Sequence, residues 1–365
     1  MNARADWRTT LAGLTPAFAQ RAARLDDGDE FAAEYFAEFK AAGLYAAGVP
    51  RELGGEGLEL EELCEMLRTI AHACPSTALA LSMHTHQIAV NAWRWKHQKA
   101  PVAPLLERVA RERILLVTTG GGDWLDSSGE AVKVEGGFRV NARKPFASGS
   151  LAGDVLSTSA AFGDEVIHFG IPIKTAGLRI EPTWQTMGMR GTASHDFILE
   201  NVFVPDSAVA MRRPRGKWHL LFHLVSMLSL PLVYAVYLGV AQAARERALA
   251  LVRKRRPDEH LLQAVGEMEN RLELARVTHA GWVAFCKDAQ PGPATTGKSM
   301  IYRTLVGRGV LDTVDATMDV AGGASFFRVN GLERLFRDAQ GARFHTLQEG
   351  LQKALTARVA LGQEI

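Results

Sequence analysis

The stretch Asp319–Gly350, DVAGGASFFRVNGLERLFRDAQGARFHTLQEG, decides how the rest of this 365-residue chain is read. A long helical pattern runs into it and stops at Gly322-Gly323, where the lack of Cβ atoms permits positive φ and a close approach by another group. The spacing predicts a helix restarting after Asn330, with Asn330 and Glu333 as an N-cap pair. Leu332, Leu335 and Phe336 then share one face, and Glu333, Arg334 and Arg337 lie elsewhere. By pattern alone this is a corner between two helices.

Upstream of the corner, Ser229–Val252, His260–Ala284 and Ala294–Val320 carry long apolar stripes that predict an up-down bundle. Further upstream the period changes from helical to two. Ala131–Val134 and Phe138–Asn141 flank the turn Glu135-Gly136-Gly137 as a hairpin. Further strands are expected at Val155–Ala160, Val166–Pro172, Gly177–Ile180 and Ser194–Phe203. Residues 1–115 read as helical again: Phe18–Leu44 at a period near 3.6, a glycine turn at Gly54, Gly55 and Gly57, then Leu58–Ala73. A further helix begins at Pro75-Ser76 and is apolar through Met83. The expected architecture is mostly α with a central β-domain: an N-terminal helical layer (1–115), a small β-barrel or sandwich (116–212) and a C-terminal four-helix bundle (213–365).

A hydrophobic content of 47% with 22% charged residues fits a packed globular chain. The net charge of +2 is too small to argue for a nucleic-acid surface, and Arg253-Lys254-Arg255-Arg256 reads as a solvated helix end. Cys64, Cys74 and Cys286 show no C-x-x-C spacing, which argues against a disulfide scaffold or a cysteine-based metal site and fits a reducing compartment. MNARADWRTTLAG has no apolar segment followed by a cleavage site. His219–Ala244 lacks Asp, Glu, Lys and Arg and meets the length criterion for a membrane span. It also holds His219, His223, Ser226, Ser229, Pro231 and Gln242, and continues into the amphipathic Ala243–Lys254. A central helix buried by its neighbours is therefore expected, in a cytoplasmic protein with no membrane partner.

Three motifs point to one family. Glu333-Arg334-Leu335-Phe336-Arg337-Asp338-Ala339, after a Gly-Gly corner, resembles the E-R-L-x-R-D-A helix of the acyl-CoA dehydrogenase superfamily. Val49-Pro50-Arg51-Glu52-Leu53-Gly54-Gly55-Glu56-Gly57-Leu58 resembles its V-P-x-E-x-G-G-x-G-L loop. Met187–Thr192 ahead of Glu200–Pro205 resembles its G-M-R-G-T/S stretch and D-V-x-V-P motif. The resemblance spans essentially the whole chain. It implies a flavin-dependent oxidoreductase and homo-oligomer (tetramer or dimer) that binds FAD, with FMN as the alternative. It also implies a small-molecule substrate such as an acyl-CoA, and an electron-transfer flavoprotein or a flavin reductase as redox partner.

A flavin needs a flat apolar surface beside its ring and hydrogen-bond partners at its polar edge. Val117–Asp123 resembles the family's T-E-P-x-A-G-S-D loop, and Lys144–Ser150 its W-I-T/S-N loop. The resemblance implies that Thr119 or Thr118 meets the pyrimidine edge, that Phe146 replaces the ring-packing tryptophan, and that Ser148 bonds near N5. Ser127 or Ser128 substitutes for the serine missing from the first loop. Gly322 and Gly323 would help hold the adenine end. Asp319 stands where glutamine is common, and no R-x-x-F-G occurs, which weakens the hold on FAD relative to FMN.

Proton chemistry divides the readings. Aligned without a gap, Thr346 takes the position of the dehydrogenase glutamate, directly after His345; a three-residue insertion puts Glu349-Gly350 there instead. The alternative glutamate position on the long central helix falls at Ser229. His345 resembles the histidine of the flavin monooxygenase branch, and His84 and His86 could face the same cavity. If 345–349 were helical, His345 and Glu349 would share a face. The catalytic candidates are therefore Glu349, His345 and His84. The reactions they imply are α,β-dehydrogenation of an acyl thioester or a two-component monooxygenation; a non-catalytic flavin- or ligand-binding member is the third reading.

Overall fold

The computed structural model describes residues 6–365; the first five residues, part of the stretch read above for a leader, lie outside the described residues. The N-terminal part holds α1 (Trp7–Asp27), α2 (Ala33–Ala42), α3 (Leu60–Ala73), α4 (Pro75–Gln98) and α5 (Ala103–Glu112). Glu59 and Glu62 close a capping box at the start of α3. Pro75 opens α4, where its missing N–H costs nothing. The apolar run of α4 ends at Met83, where polar residues follow. The helix continues because His84, Thr85 and Gln87 are buried with hydrogen-bond partners.

The middle part is one curled sheet of β1 (Leu116–Thr118), β2 (Glu130–Val134), β3 (Gly137–Ala147), β4 (Val155–Phe162), β5 (Glu165–Pro172), β6 (Leu178–Glu181), β7 (His195–Pro205) and β8 (Val209–Pro214). Its order is β6-β7-β3-β2-β4-β5-β8, with β1 parallel to β4. Inward residues such as Phe138, Val140, Leu156, Ile167, Phe197 and Val202 form its own apolar core. The period-two signal marks the strands that alternate over several residues. It misses the three-residue β1 and the edge strand β8, whose Arg212 and Arg213 mask the alternation. Residues 144–147, expected as a loop, belong to β3, and the register against β7 shifts between Lys144 and Ala147.

The C-terminal part comprises α6 (Leu220–Leu224), a π-helical turn (Val225–Ser229), α7 (Leu230–Val252), α8 (Glu259–Asp288), α9 (Pro293–Ala321), α10 (Leu332–Ala339) and α11 (Glu349–Ala360). Asp258 caps α8 by accepting from the Leu261 N–H at 2.8 Å. The apolar stretch becomes α6 to α7, and 94% of its most apolar window is buried inside the fold. As expected, α9 stops at the double glycine, with Gly322 at φ +59°. The cap of α10 differs from expectation. Gly331, in the left-handed conformation, occupies the N-cap position. Asn330 instead bonds the Ala324 carbonyl, and Glu333 pairs with Arg337.

Helix α7 is the axis of the larger core, with α3, α4, α8 and α9 packed around it. At Gly239 a Cβ would stand 2.6 Å from the Arg68 carbonyl oxygen of α3 and 2.8 Å from the Ala71 methyl. Gly239→Ala should therefore force the two helices apart and cost about 2 kcal/mol, read as a lower denaturation midpoint at unchanged m-value. An unshifted midpoint would show that α3 and α7 are not in this close packing.

Candidate active site

Two buried cations shape the loop between β1 and β2. Lys144, fully buried on β3, donates from Nζ to Asp123 Oδ2 (2.7 Å), Ser127 Oγ (2.9 Å) and Ser128 Oγ (3.2 Å). Burial lowers its pKa, and the Asp123 carboxylate opposes that shift. Arg213, equally buried, donates to the carbonyls of Asp123 (2.7 Å), Leu125 (3.1 Å) and Asp126 (2.9 Å). Ser127 and Ser128 are consumed by this network, with Ser127 also bonded to Ser159 at 2.9 Å. Neither is placed as the replacement serine expected above.

The Lys144–Asp123 pair ties the two predicted flavin loops together. At the β3 bulge Phe146 turns outward, 68% exposed and at φ +61°, with its ring edge-on to Trp184 at 6.2 Å. Beyond it, Ser148 Oγ lies 2.7 Å from Ser194 Oγ, which lies 2.7 Å from Thr192 Oγ1. In the other loop, Thr119 Oγ1 is 2.6 Å from Thr158 Oγ1, and Thr118 bonds the Thr119 carbonyl at 3.3 Å. Gly121 and Gly122 are exposed, and the Thr346 hydroxyl donates to the Gly121 carbonyl. The segment carrying His345 thus meets the first loop.

His345 is half-buried between Tyr234 and Tyr237. Its Nε2 is 2.7 Å from the Tyr237 hydroxyl, and its carbonyl accepts from Arg303 at 2.6 Å. Burial, aided by the Arg303 charge, pushes its pKa down to about 4. Burial also raises the Tyr237 phenol well above its ordinary value. At neutral pH both partners are uncharged, so one proton is shared between imidazole and phenol.

The other catalytic candidates lie differently. His84 Nδ1 accepts from the Leu116 N–H at 3.0 Å, and Nε2 is 2.8 Å from the Tyr45 carbonyl. With both ring nitrogens committed, His84 pins α4 to β1, and its geometry does not suit proton transfer to a ligand. His86, one turn-edge further, has Nδ1 3.2 Å from Ser229 Oγ at the end of the π-helical turn. Such turns recur at functional sites, and the sequence pattern gave no sign of this one. Glu349 opens α11 on the surface, bonded to Arg308 and, at 2.6 Å, to Lys353. The Arg308 hydrogen bond leads in pulling its pKa down to about 2, the reverse of what a general base requires. Residues 345–348 are not helical, so the condition for His345 and Glu349 to share a helix face is not met. Among the described residues the buried carboxylates are Asp26, Asp196 and Asp338. Each is committed: to Arg337, to Arg143 and Thr183, and to the Met189 N–H respectively. At Gly322 and Gly323 a Cβ would meet nothing within 4 Å, so both face open space.

This donor set fits the ring end of a flavin: an outward aromatic wall at Phe146 and Trp184, hydroxyls at Ser148 and Thr119, and exposed glycines at 121 and 122. The profile of the acyl-CoA dehydrogenase N-terminal domain matches residues 10–106, and that of the C-terminal domain residues 232–349. The chain belongs to the acyl-CoA dehydrogenase superfamily and is a flavin-dependent oxidoreductase of that type. It is 29% identical to "Putative acyl-CoA dehydrogenase YdbM" of Bacillus subtilis, over 92% of this chain and 91% of that one. It is 26% identical to L-evernosamine nitrososynthase of a Micromonospora species, over 92% and 84%. The structure of KijD3 in complex with FMN and a dTDP-linked amino keto sugar superposes with a TM-score of 0.89 at 25% identity, covering 98% of this chain and 94% of that one.

The buried imidazoles make stability depend on acidity. His84, His86 and His345 have folded-state values near 4, below the unfolded value of about 6.5. Above about pH 6.5 neither state is protonated and stability is level; below it the unfolded chain binds protons first, so stability falls as pH drops toward 4. His345→Gln should remove about 1 kcal/mol of the loss between pH 7 and 5.5, measured by denaturant titration. Equal losses in variant and wild type would contradict the neutral assignment.

Proposed function

We propose that this protein is the oxygenase component of a two-component flavin monooxygenase, using reduced flavin from a separate reductase to oxidise a small organic substrate. The carrying observation is the neutral His345–Tyr237 pair beside the Gly121 loop, in a site where every buried carboxylate among the described residues is already committed. Abstraction of an α-proton from a thioester calls for a free base, and Glu349 is held in surface ion pairs. Ser229, at the alternative base position, is a hydroxyl bonded to His86.

When bound, the reduced flavin supplies two electrons to oxygen, so that one oxygen atom goes to substrate and the other to water. The chain's own groups would then do the following. Phe146 and Trp184 wall the ring, and Thr119 or Thr118 meets its pyrimidine edge. Ser148, oriented by Ser194, offers a hydroxyl at the reacting edge. His345 and His86, both neutral, give or take a proton on the helical side. The nitrososynthase names of similar relatives support an amine-bearing substrate. The FMN-bound relative and the open Gly322-Gly323 corner support FMN over FAD. Exposed Leu262, Leu274, Val277 and Ile301 on α8 and α9 support a homo-oligomer built through the bundle.

The second reading, acyl-CoA dehydrogenation with electrons passed to an electron-transfer flavoprotein, rests on the likeness to YdbM. Oxygen uptake separates the two. Protein supplied with FMN and a reductase should turn over only with both present. His345→Ala should lower kcat by about a hundredfold, while Glu349→Gln should stay within about twofold. Anaerobic bleaching of flavin-loaded protein by an acyl-CoA, abolished in Glu349→Gln, would overturn the monooxygenase reading.

A further inference from the structure

Segment 187–195 connects the junction of all three parts to the flavin-facing wall. At the junction, Asp338 of α10 accepts a hydrogen bond from the Met189 N–H. Arg337 donates to the Met187 carbonyl at 2.8 Å and pairs with Asp26 at the end of α1. The segment lies hard against α10: a Cβ on Gly188 would stand 2.2 Å from the Arg337 carbonyl oxygen. Arg190 fastens the same segment to α1 through the Asp26 carbonyl (3.1 Å) and Asp29 (3.1 Å).

The next peptide unit, across the Met189 Cα, serves the other side. Its carbonyl accepts from the Trp184 indole at 3.0 Å and from the Thr192 N–H at 3.2 Å. Trp184 stands edge-on to Phe146. Thr192 leads through Ser194 to Ser148, and its carbonyl also accepts from the Gly149 N–H at 2.8 Å. Met189 and Ala193 both hold positive φ, +54° and +45°. Neither is glycine, and such conformations persist only where the surroundings over-determine them.

We propose that Asp338 is a positioning residue for the flavin site: by fixing the Met189 backbone at its N–H it sets the carbonyl of the same residue, and with it both the Phe146–Trp184 wall and the Thr192–Ser194–Ser148 hydroxyl chain. Asp338 touches neither flavin nor substrate in this account. Domain packing and cofactor grip are linked through the backbone of one residue, whose two adjoining peptide units face the two sides, so a change where α1, the sheet and α10 meet is felt at Ser148. This inference rests on the flavin reading of the site.

The test is a double-mutant cycle read by FMN binding, using quenching of flavin fluorescence by the full-length protein. Asp338→Ala and Ser148→Ala should each weaken FMN binding about tenfold, and the double variant by clearly less than the product, because both act on the same hydroxyl. Asp338→Asn, whose carboxamide oxygen still accepts from the Met189 N–H, should restore near wild-type affinity. Where Asp338→Ala fails to fold, Ser194→Ala carries the test, since it cuts the chain between Thr192 and Ser148 and should give the same tenfold loss. Wild-type protein that binds no FMN overturns the flavin reading and this inference with it. Wild-type binding matched by Asp338→Ala or Ser194→Ala, or losses that multiply fully in the double variant, overturns the positioning role alone.

Discussion

The site depends on one buried ion pair. Lys144 has no exposed surface, and its ammonium is matched by Asp123 from the loop after β1. Removing a charge from water costs several kcal/mol, offset here by a carboxylate and two serine hydroxyls rather than by net attraction alone. What the pair achieves is geometry. It holds the end of β3 against the β1–β2 loop, and Arg213 grips the same loop by three carbonyls. The bulge that swings Phe146 outward follows directly after Lys144. The aromatic wall and the glycine-bare loop therefore move as one body.

Among the described residues, the helical side offers two imidazoles and no free buried carboxylate. Tyr237 on α7 and Ser229, which ends the π-helical turn, lie eight residues apart, about two turns along the helix. One holds His345 and the other His86. Burial keeps both imidazoles neutral near pH 7, so neither ring brings a standing charge into the site. A carboxylate base would need a different arrangement, and the carboxylate nearest in sequence to His345, Glu349, is turned to solvent against Arg308 and Lys353.

Much of the fold was legible because its signals are local. The helical stripes, the alternation of the longer strands and the double-glycine stop follow from periodicity and backbone freedom. Family motifs supplied Phe146, Ser148 and the 118–123 loop, and the sheet brings these together. The rest depended on contacts distant in sequence. His84 and His345 are both histidines near apolar runs; only Tyr45 and Leu116 on one side, and Tyr237 on the other, separate a ring committed to backbone groups from one paired with a phenol. Glu349 resembled a base by position, and its fate was decided by Arg308 from α9. Asn330 resembled a cap, yet Gly331 has the backbone freedom the turn requires. The Asp338–Met189 bond spans 149 residues, beyond the reach of any local pattern.

The central claim is that the two loops joined by Lys144 hold a flavin ring whose reacting edge faces the His345 segment. A crystal structure of the protein soaked with FMN measures this directly. The ring should pack beside Phe146 and Trp184, with Ser148 at its N5 edge and His345 across from it. Flavin density elsewhere on the chain, or a ring whose reacting edge points away from His345 toward solvent, would contradict it.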